Sequence, residues 1–270
     1  MNKIKNIFAL LILTVVVLLS CDDDRGFTNP FADINYEDLA MSDNDSIVKF
    51  LKNNYYDYSV DSVKTLIAGQ TSLFDDQDKL KTIKVISNDI EHTLYAYVAS
   101  QGDSGADPDK GFPTIVDSVL VKYSGFALRN TEISSTDFDK NESGIWFTLA
   151  GVIEGWTNSF PEFKGGELKK GPNGGTFNGP ITYLNGGKGV LFIPSGLGYP
   201  SSNPNNFNSP LVNTNLIFYV ELLDIVPDTD HDNDGTPSIQ EDADGDGDPT
   251  NDFSDPNNPG LPDYLNPNIK

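Results

Sequence analysis

The chain has 270 residues, 37% of them hydrophobic, which fits a domain of about 130 residues with appendages better than one large core. Its 18 Lys and Arg stand against 40 Asp and Glu, and a formal charge of −22 repels phosphate backbones, which excludes nucleic acid as a partner. Cys21 is the only cysteine, so no internal disulfide forms and stability must come from a core or from bound ions.

Lys3 and Lys5 precede an apolar run from Ile7 to Leu19, too short for the roughly 20 residues that cross a bilayer, so residues 1–20 read as a secretory signal. Leu18-Leu19-Ser20-Cys21 resembles a bacterial lipoprotein processing box. That resemblance implies cleavage before Cys21 and its acylation, with the attached lipids as the membrane anchor. Asp22-Asp23-Asp24 resembles the acidic sorting stretch of some surface-displayed lipoproteins of the Bacteroidetes. The expected address is the cell envelope, at the outer membrane or cell surface, with a periplasmic position also open.

Residues 21–42 read as a polar tether. Asp43 or Asp45 is placed to cap a helix carrying Ile47, Val48, Phe50 and Leu51 and ending near Asn53-Asn54. Residues 60–90 fit either a helical piece or irregular hairpins, and no chemistry is assigned to the segment 43–90. From His92, Leu94, Ala96 and Val98 alternate with Thr93, Tyr95 and Tyr97, the pattern of a half-buried strand. Val119, Val121 and Tyr123 alternate in a second strand. Ile145-Trp146-Phe147-Thr148-Leu149 reads as a third.

Val152-Ile153-Glu154-Gly155-Trp156 then opens a short helix. Ile153, Trp156, Phe160 and Phe163 share one face by their spacing of three and four. Gly155 is read as a turn, and Pro161 limits the helix to about two turns. This stretch resembles the pocket floor of the FKBP-type peptidyl-prolyl isomerases. Further matches follow in that family's order: the strand ending Val121-Lys122-Tyr123-Ser124-Gly125, the pair Phe138-Asp139, the strand and loop from Val190 to Tyr199, and the closing strand Asn215 to Asp224. Together they span residues 91–226. The resemblance implies an α+β fold, a twisted antiparallel β-sheet wrapped over one short helix, flanked by a small N-terminal helical segment and an irregular Asp-rich tail.

It also implies the site, a cup that needs no catalytic cofactor. Trp156 is expected under a substrate proline ring, with Tyr123, Phe138 and Phe218 as walls. Val152 and Ile153 form the edge, the Ile153 N–H donating to substrate. Tyr199 offers its hydroxyl to a substrate carbonyl, and Asp139 orients Tyr123 or polarises the site. The chain departs from the family pattern at Ile145, at Pro200 and at Pro210-Leu211-Val212. A Gly-rich insert at 166–187 is expected as a hairpin or flap beside the pocket.

Twelve of the 40 acids lie between Asp228 and Asp263. Asp230, Asp232 and Asp234 alternate before Gly235, with Glu241 at the twelfth position, as in an EF-hand calcium loop. Asp242, Asp244 and Asp246 repeat the start, with Asp248 and Asp252 following. Pro237 and the lack of flanking amphipathic helices make residues 227–270 resemble thrombospondin type 3 repeats, which implies structural calcium. A solvated acidic tail is the other reading. His92 and His231 are too isolated for a transition-metal site.

The function these features imply is a lipid-anchored prolyl isomerase acting as a monomer on Xaa-Pro segments of exported proteins. A non-catalytic pocket covered by the insert and a calcium-stabilised surface spacer are the alternatives.

Overall fold

In the computed structural model the described residues are 29–105, 110–134 and 136–270. The signal stretch 1–20, Cys21 and Asp22-Asp23-Asp24 lie outside them. Helix α1 (Tyr36–Asn53) opens at Asn35, whose side chain accepts from the Glu37 and Asp38 N–H groups. The cap is thus Asn35, not Asp43 or Asp45, and residues 36–42, expected in a tether, are helical. The reason is the buried stripe, which runs Asp43, Ile47, Phe50 and Leu51 at helical spacing and puts Asp43 on the inner face.

β1 (Asn54–Asp57) and β2 (Ser62–Thr65) form a hairpin. β3 (Leu80–Ser87) and β4 (Ile90–Ser100) form another, joined by Asn88 and Asp89 at φ of 50° and 63°, left-handed values that Asn and Asp tolerate. The main sheet continues with β5 (Ser118–Arg129), β6 (Glu132–Ile133), β7 (Asp139–Thr148), β10 (Gly187–Ile193) and β11 (Asn215–Val226). Its order is β3-β4-β10-β11-β5-β6, with β7 also on β5, and every pairing is antiparallel. The architecture is α+β, an antiparallel sheet with short helices.

Both faces of this sheet are covered. On one, Leu94, Ala96 and Val98 pack with Trp156, Phe160 and Phe163 from helix α2 (Glu154–Ser159) and the 3-10 turn after it. On the other, Tyr95 and Tyr97 pack with Ile47, Phe50 and Leu51 of α1. Strand β4 is therefore buried on two sides instead of one, because α1 supplies a second apolar layer that strand periodicity does not reveal. Gly155 is also not a turn. It lies inside α2, where a Cβ would stand 2.4 Å from the Ile193 side chain, so its role is close approach of helix to sheet.

β8 (Glu167–Leu168) and β9 (Tyr183–Leu184) pair as a small hairpin within the insert. The hairpin sits by the far end of β11, where the Gly166 N–H donates to the Leu223 carbonyl at 2.9 Å. The tail is irregular, with short 3-10 turns, and is rooted at Thr229. The Thr229 N–H donates to Asp117 Oδ1 and its Oγ1 accepts from the Ser118 N–H, both at 3.1 Å. Residues 35–270 form one compact unit, and among the described residues no helix is long and apolar enough to cross a membrane.

Candidate functional site

Segments far apart in sequence meet at one cavity of about 840 Å³. β5 brings Tyr123, the entry to β7 brings Phe138 and Asp139, and the turn into α2 brings Val152 and Ile153. Trp156 comes from α2 itself, Tyr199 from the loop after β10, and Phe218 from β11. All the residues expected for the pocket line this space.

Trp156, only 4% exposed, is surrounded edge-to-face. Its ring meets Tyr123 at 5.0 Å and 82°, Phe218 at 5.1 Å and 83°, and Phe147 at 5.5 Å and 89°. Phe138 meets Phe218 in the same way at 5.5 Å and 88°. Such contacts set the positive edge of one ring on the negative face of another and so fix ring orientation. Gly125 makes room for two of them, since a Cβ there would stand 2.6 Å from Phe218 and 2.7 Å from Phe138.

Polar groups share the lining with the rings: Asn88, Asp139, Glu154, Ser202, Asn203 and Asn206 border the cavity together with the Tyr123 and Tyr199 hydroxyls. The Tyr123 hydroxyl donates to Asp139 Oδ2 at 2.7 Å. Burial, then this bond and the Asp139 charge, push the Tyr123 phenol up to about 12. Burial also raises Tyr199, with the Asp139 charge adding to it. Ile153 caps α2 in an extended conformation, its carbonyl accepting from the Trp156 and Thr157 N–H groups. The Trp156 indole N–H is buried without an acceptor, an arrangement that costs about 1–3 kcal/mol and that ordinary core packing avoids. Among the described residues the lining contains no His, Cys, Lys or Arg. What it can offer an occupant is an aromatic floor and walls on one side and, on the other, hydroxyl, amide and carboxylate groups.

Sequence reasoning missed part of the wall. Phe147 lines the cavity, whereas Ile145, two residues earlier on β7 and opposite Val121, is 40% exposed. Asn88 reaches the cavity from the β3–β4 turn, in a segment assigned no role, and only the sheet pairing places it there. Next to it, Ser87 Oγ donates to Glu154 Oε1 at 3.0 Å, tying that turn to the first residue of α2. Pro200, Asn203 and Pro204 form a further wall. No residue of the insert 166–187 does, so the expected flap is a hairpin elsewhere and leaves the cavity uncovered.

Three solved structures bear a distant likeness to parts of the chain. A peptidyl-prolyl cis-trans isomerase from Pseudomonas syringae pv. tomato shares 17% identity at a TM-score of 0.38, covering 72% of this chain and 97% of that one. FkpA from Escherichia coli shares 26% at 0.34, covering 53% and 52%. The three FKBP domains of wheat FKBP73 share 18% at 0.34, covering 54% and 51%. These likenesses are distant and partial, and the reading of the cavity rests on its own geometry. Neither a protein-family model nor a curated protein matches the chain.

The tail holds a second arrangement, built from two loops of one design. Asp230 accepts from the Asn233 and Gly235 N–H groups at 2.7 and 3.0 Å, and Asp242 accepts from Gly245 and Gly247 at 2.8 and 2.7 Å. These bonds turn carboxylates inward, so that oxygens of Asp230, Asp232 and Asp234 lie within 4.8 Å of one another, as do those of Asp242, Asp244 and Asp252. Glu241 is buried near the first cluster at 4% exposure, and burial followed by the charges of Asp232, Asp234, Asp230 and Asp263 pushes it up to about 7. Both Glu241 oxygens and one oxygen each of Asp232, Asp234 and Asp263 are buried without a hydrogen-bond donor, and the only cation beside them among the described residues is Lys270, whose Nζ lies 3.7 Å from Asp234 Oδ2. Carboxylates packed in this way match a hard divalent cation, and both clusters can coordinate one.

Asp263 was missed because it lies far along the chain from the loop it approaches. Asp246 and Asp248 stand outside the second cluster. Pro249 starts a 3-10 turn there, Asp248 accepts from the Thr250 N–H at 3.0 Å, and Asp246 accepts from the Asp248 N–H at 2.8 Å. His231 is structural, bonded to Ser238 Oγ at 2.8 Å and edge-on to Tyr264 at 5.4 Å.

Proposed function

We propose that this protein is a peptidyl-prolyl cis-trans isomerase acting on Xaa-Pro segments of exported or envelope proteins. The observation that carries the reading is the convergence of Tyr123, Phe138, Trp156, Tyr199 and Phe218 on one cavity that contains no nucleophile–base pair. Rotation about a peptide bond faces a barrier of roughly 18–20 kcal/mol because nitrogen shares its lone pair with the carbonyl. Twisting removes that resonance and lowers the charge on the carbonyl oxygen, so a dry aromatic enclosure favours the twisted state over the planar, more polar one. No covalent step is required.

In this reading the proline ring rests on Trp156 between Tyr123, Phe138 and Phe218, at the edge formed by Val152 and Ile153. The Tyr199 hydroxyl and the Ile153 N–H donate to substrate carbonyls, and Asp139 holds the Tyr123 ring by its hydroxyl. A protease-coupled assay on Xaa-Pro peptides tests this. Acceleration by the wild type, reduced in Tyr199→Phe and lost in Trp156→Ala, supports it, and no acceleration by folded wild-type protein overturns it.

We further propose that the tail binds calcium as a structural ion, at one site on Asp230, Asp232, Asp234 and Glu241 and at another on Asp242, Asp244 and Asp252. Cys21 is proposed as the acylated residue that anchors the chain in the cell envelope. Palmitate labelling that survives Cys21→Ser, with unchanged partition into membranes, rejects the anchor.

A further inference from the structure

The loop bearing Tyr199 is tied to an element outside the sheet. The Ser195 N–H and Oγ–H both donate to Asp43 Oδ2, at 3.0 and 2.6 Å. The same N–H also reaches Asn215 Oδ1 at 3.0 Å, and Asn215 Nδ2 donates to the Asp43 carbonyl at 3.4 Å. Past Tyr199, the Ser201 N–H donates to Asn213 Oδ1 at 2.8 Å, and Ser201 Oγ shares a hydrogen bond of 3.1 Å with the Tyr36 hydroxyl. Between these ties the Tyr199 carbonyl accepts from the Asn213 N–H at 3.1 Å.

Asp43 and Tyr36 both belong to α1, two helical turns apart and so on one face. The segment from Ser195 to Ser201 is therefore held at both ends by a helix and by the strand entry that faces it. Asp43 is 6% exposed and Ser195 fully buried, and the local partners of Asp43 are Ser195 and Asn215, with no cation among them. An apolar residue would fill that position of the α1 stripe without burying a charge. Packing alone thus does not account for an acid there, whereas two donors from one loop residue do. A hollow of about 90 Å³ lies between α1 and the loop, lined by Tyr36, Leu39, Asp43, His92 and Gly196, so the loop has room to shift once the tie is cut.

We infer that Asp43 is a positioning residue that acts through Tyr199: the carboxylate on α1 fixes the Ser195–Ser201 segment and so holds the Tyr199 hydroxyl at the cavity. This rests on the isomerase reading for its catalytic consequence, but the tie itself can be measured without catalysis.

The test uses the full chain as wild type, Asp43→Ala, Asp43→Asn, Ser195→Ala, Tyr199→Phe and the double variant Asp43→Ala/Tyr199→Phe. Hydrogen exchange read by mass spectrometry should show residues 195–201 exchanging about tenfold faster in Asp43→Ala, with β10 and β11 unchanged. Isomerisation should fall about five- to tenfold in Asp43→Ala and recover in part in Asp43→Asn, which keeps an acceptor. The double variant should be no slower than Tyr199→Phe alone, because a residue acting through another loses its effect when that partner is gone. Additive losses overturn the positioning role, and unchanged exchange over 195–201 overturns the tie. If Asp43→Ala does not fold, Ser195→Ala removes one of the two donors and carries the same comparisons. An inactive wild type in which exchange still responds to Asp43→Ala removes the isomerase reading and leaves the tie standing.

Discussion

The aromatic cavity and the acidic tail both leave buried polar atoms without partners, but they reach that state by opposite routes. The cavity is assembled from strands and loops as far apart as Asn88 and Phe218, and its rings are held by long-range burial between sheet and helix. The tail loops are assembled locally, each Asp bonding backbone N–H groups within five residues. What remains unpaired differs accordingly. In the cavity it is one indole N–H among apolar rings, whereas in the tail it is a set of like-charged oxygens. The first can exist as a vacant pocket at modest cost, and the second calls for a counter-charge.

Trp156→Ala should break the first region without touching the second. Loss of a buried Trp costs about 3–5 kcal/mol, and urea unfolding should show that loss while the response to calcium persists. A loss under about 1 kcal/mol would mean that the ring is not a structural support. Chelation should do the converse. Calcium at a hundredfold excess over its dissociation constant adds about 2.7 kcal/mol, which calorimetry should record as a higher Tm in wild type and a much smaller rise in Glu241→Ala. The peptide isomerisation proposed for the cavity should change little in that variant.

Tyr123→Phe sharpens the contrast at smaller scale. It removes the bond to Asp139 for a cost of about 1 kcal/mol. Burial, then the bond and charge of Asp139, push the Tyr123 phenol from its ordinary 10 up to about 12. A raised value means that its contribution to stability is complete below pH 10 and lost as pH rises through about 12. The difference in phenolate absorbance between wild type and Tyr123→Phe should show this step, and alkaline unfolding should be shallower in Tyr123→Phe by the contribution of that one group. Asp246→Asn should have the smallest effect, within about 0.5 kcal/mol with or without calcium, because Asp246 lies outside both carboxylate clusters.

Much of the cavity was legible because aromatic residues at strand and helix spacing, taken in order, carry the resemblance that placed Tyr123, Phe138, Trp156, Tyr199 and Phe218. Asn88 was not legible, since nothing in a turn says which neighbour the hairpin will stand beside. The insert was legible as a hairpin but not as to position, because turn residues fix local geometry and leave docking to Gly166 and Leu223.

By itself the sequence determined what short-range forces decide: the two aspartate loops with their glycines, the short helix ended by Pro161, and the alternating strands. Tertiary structure alone decided which faces were covered. The second layer on β4, the inward turn of Asp43 and its bond to Ser195, and the approach of Glu241 to the Asp230 loop depend on contacts between distant segments. Burial is a property of the assembled sheet and helices, and no local spacing carries it.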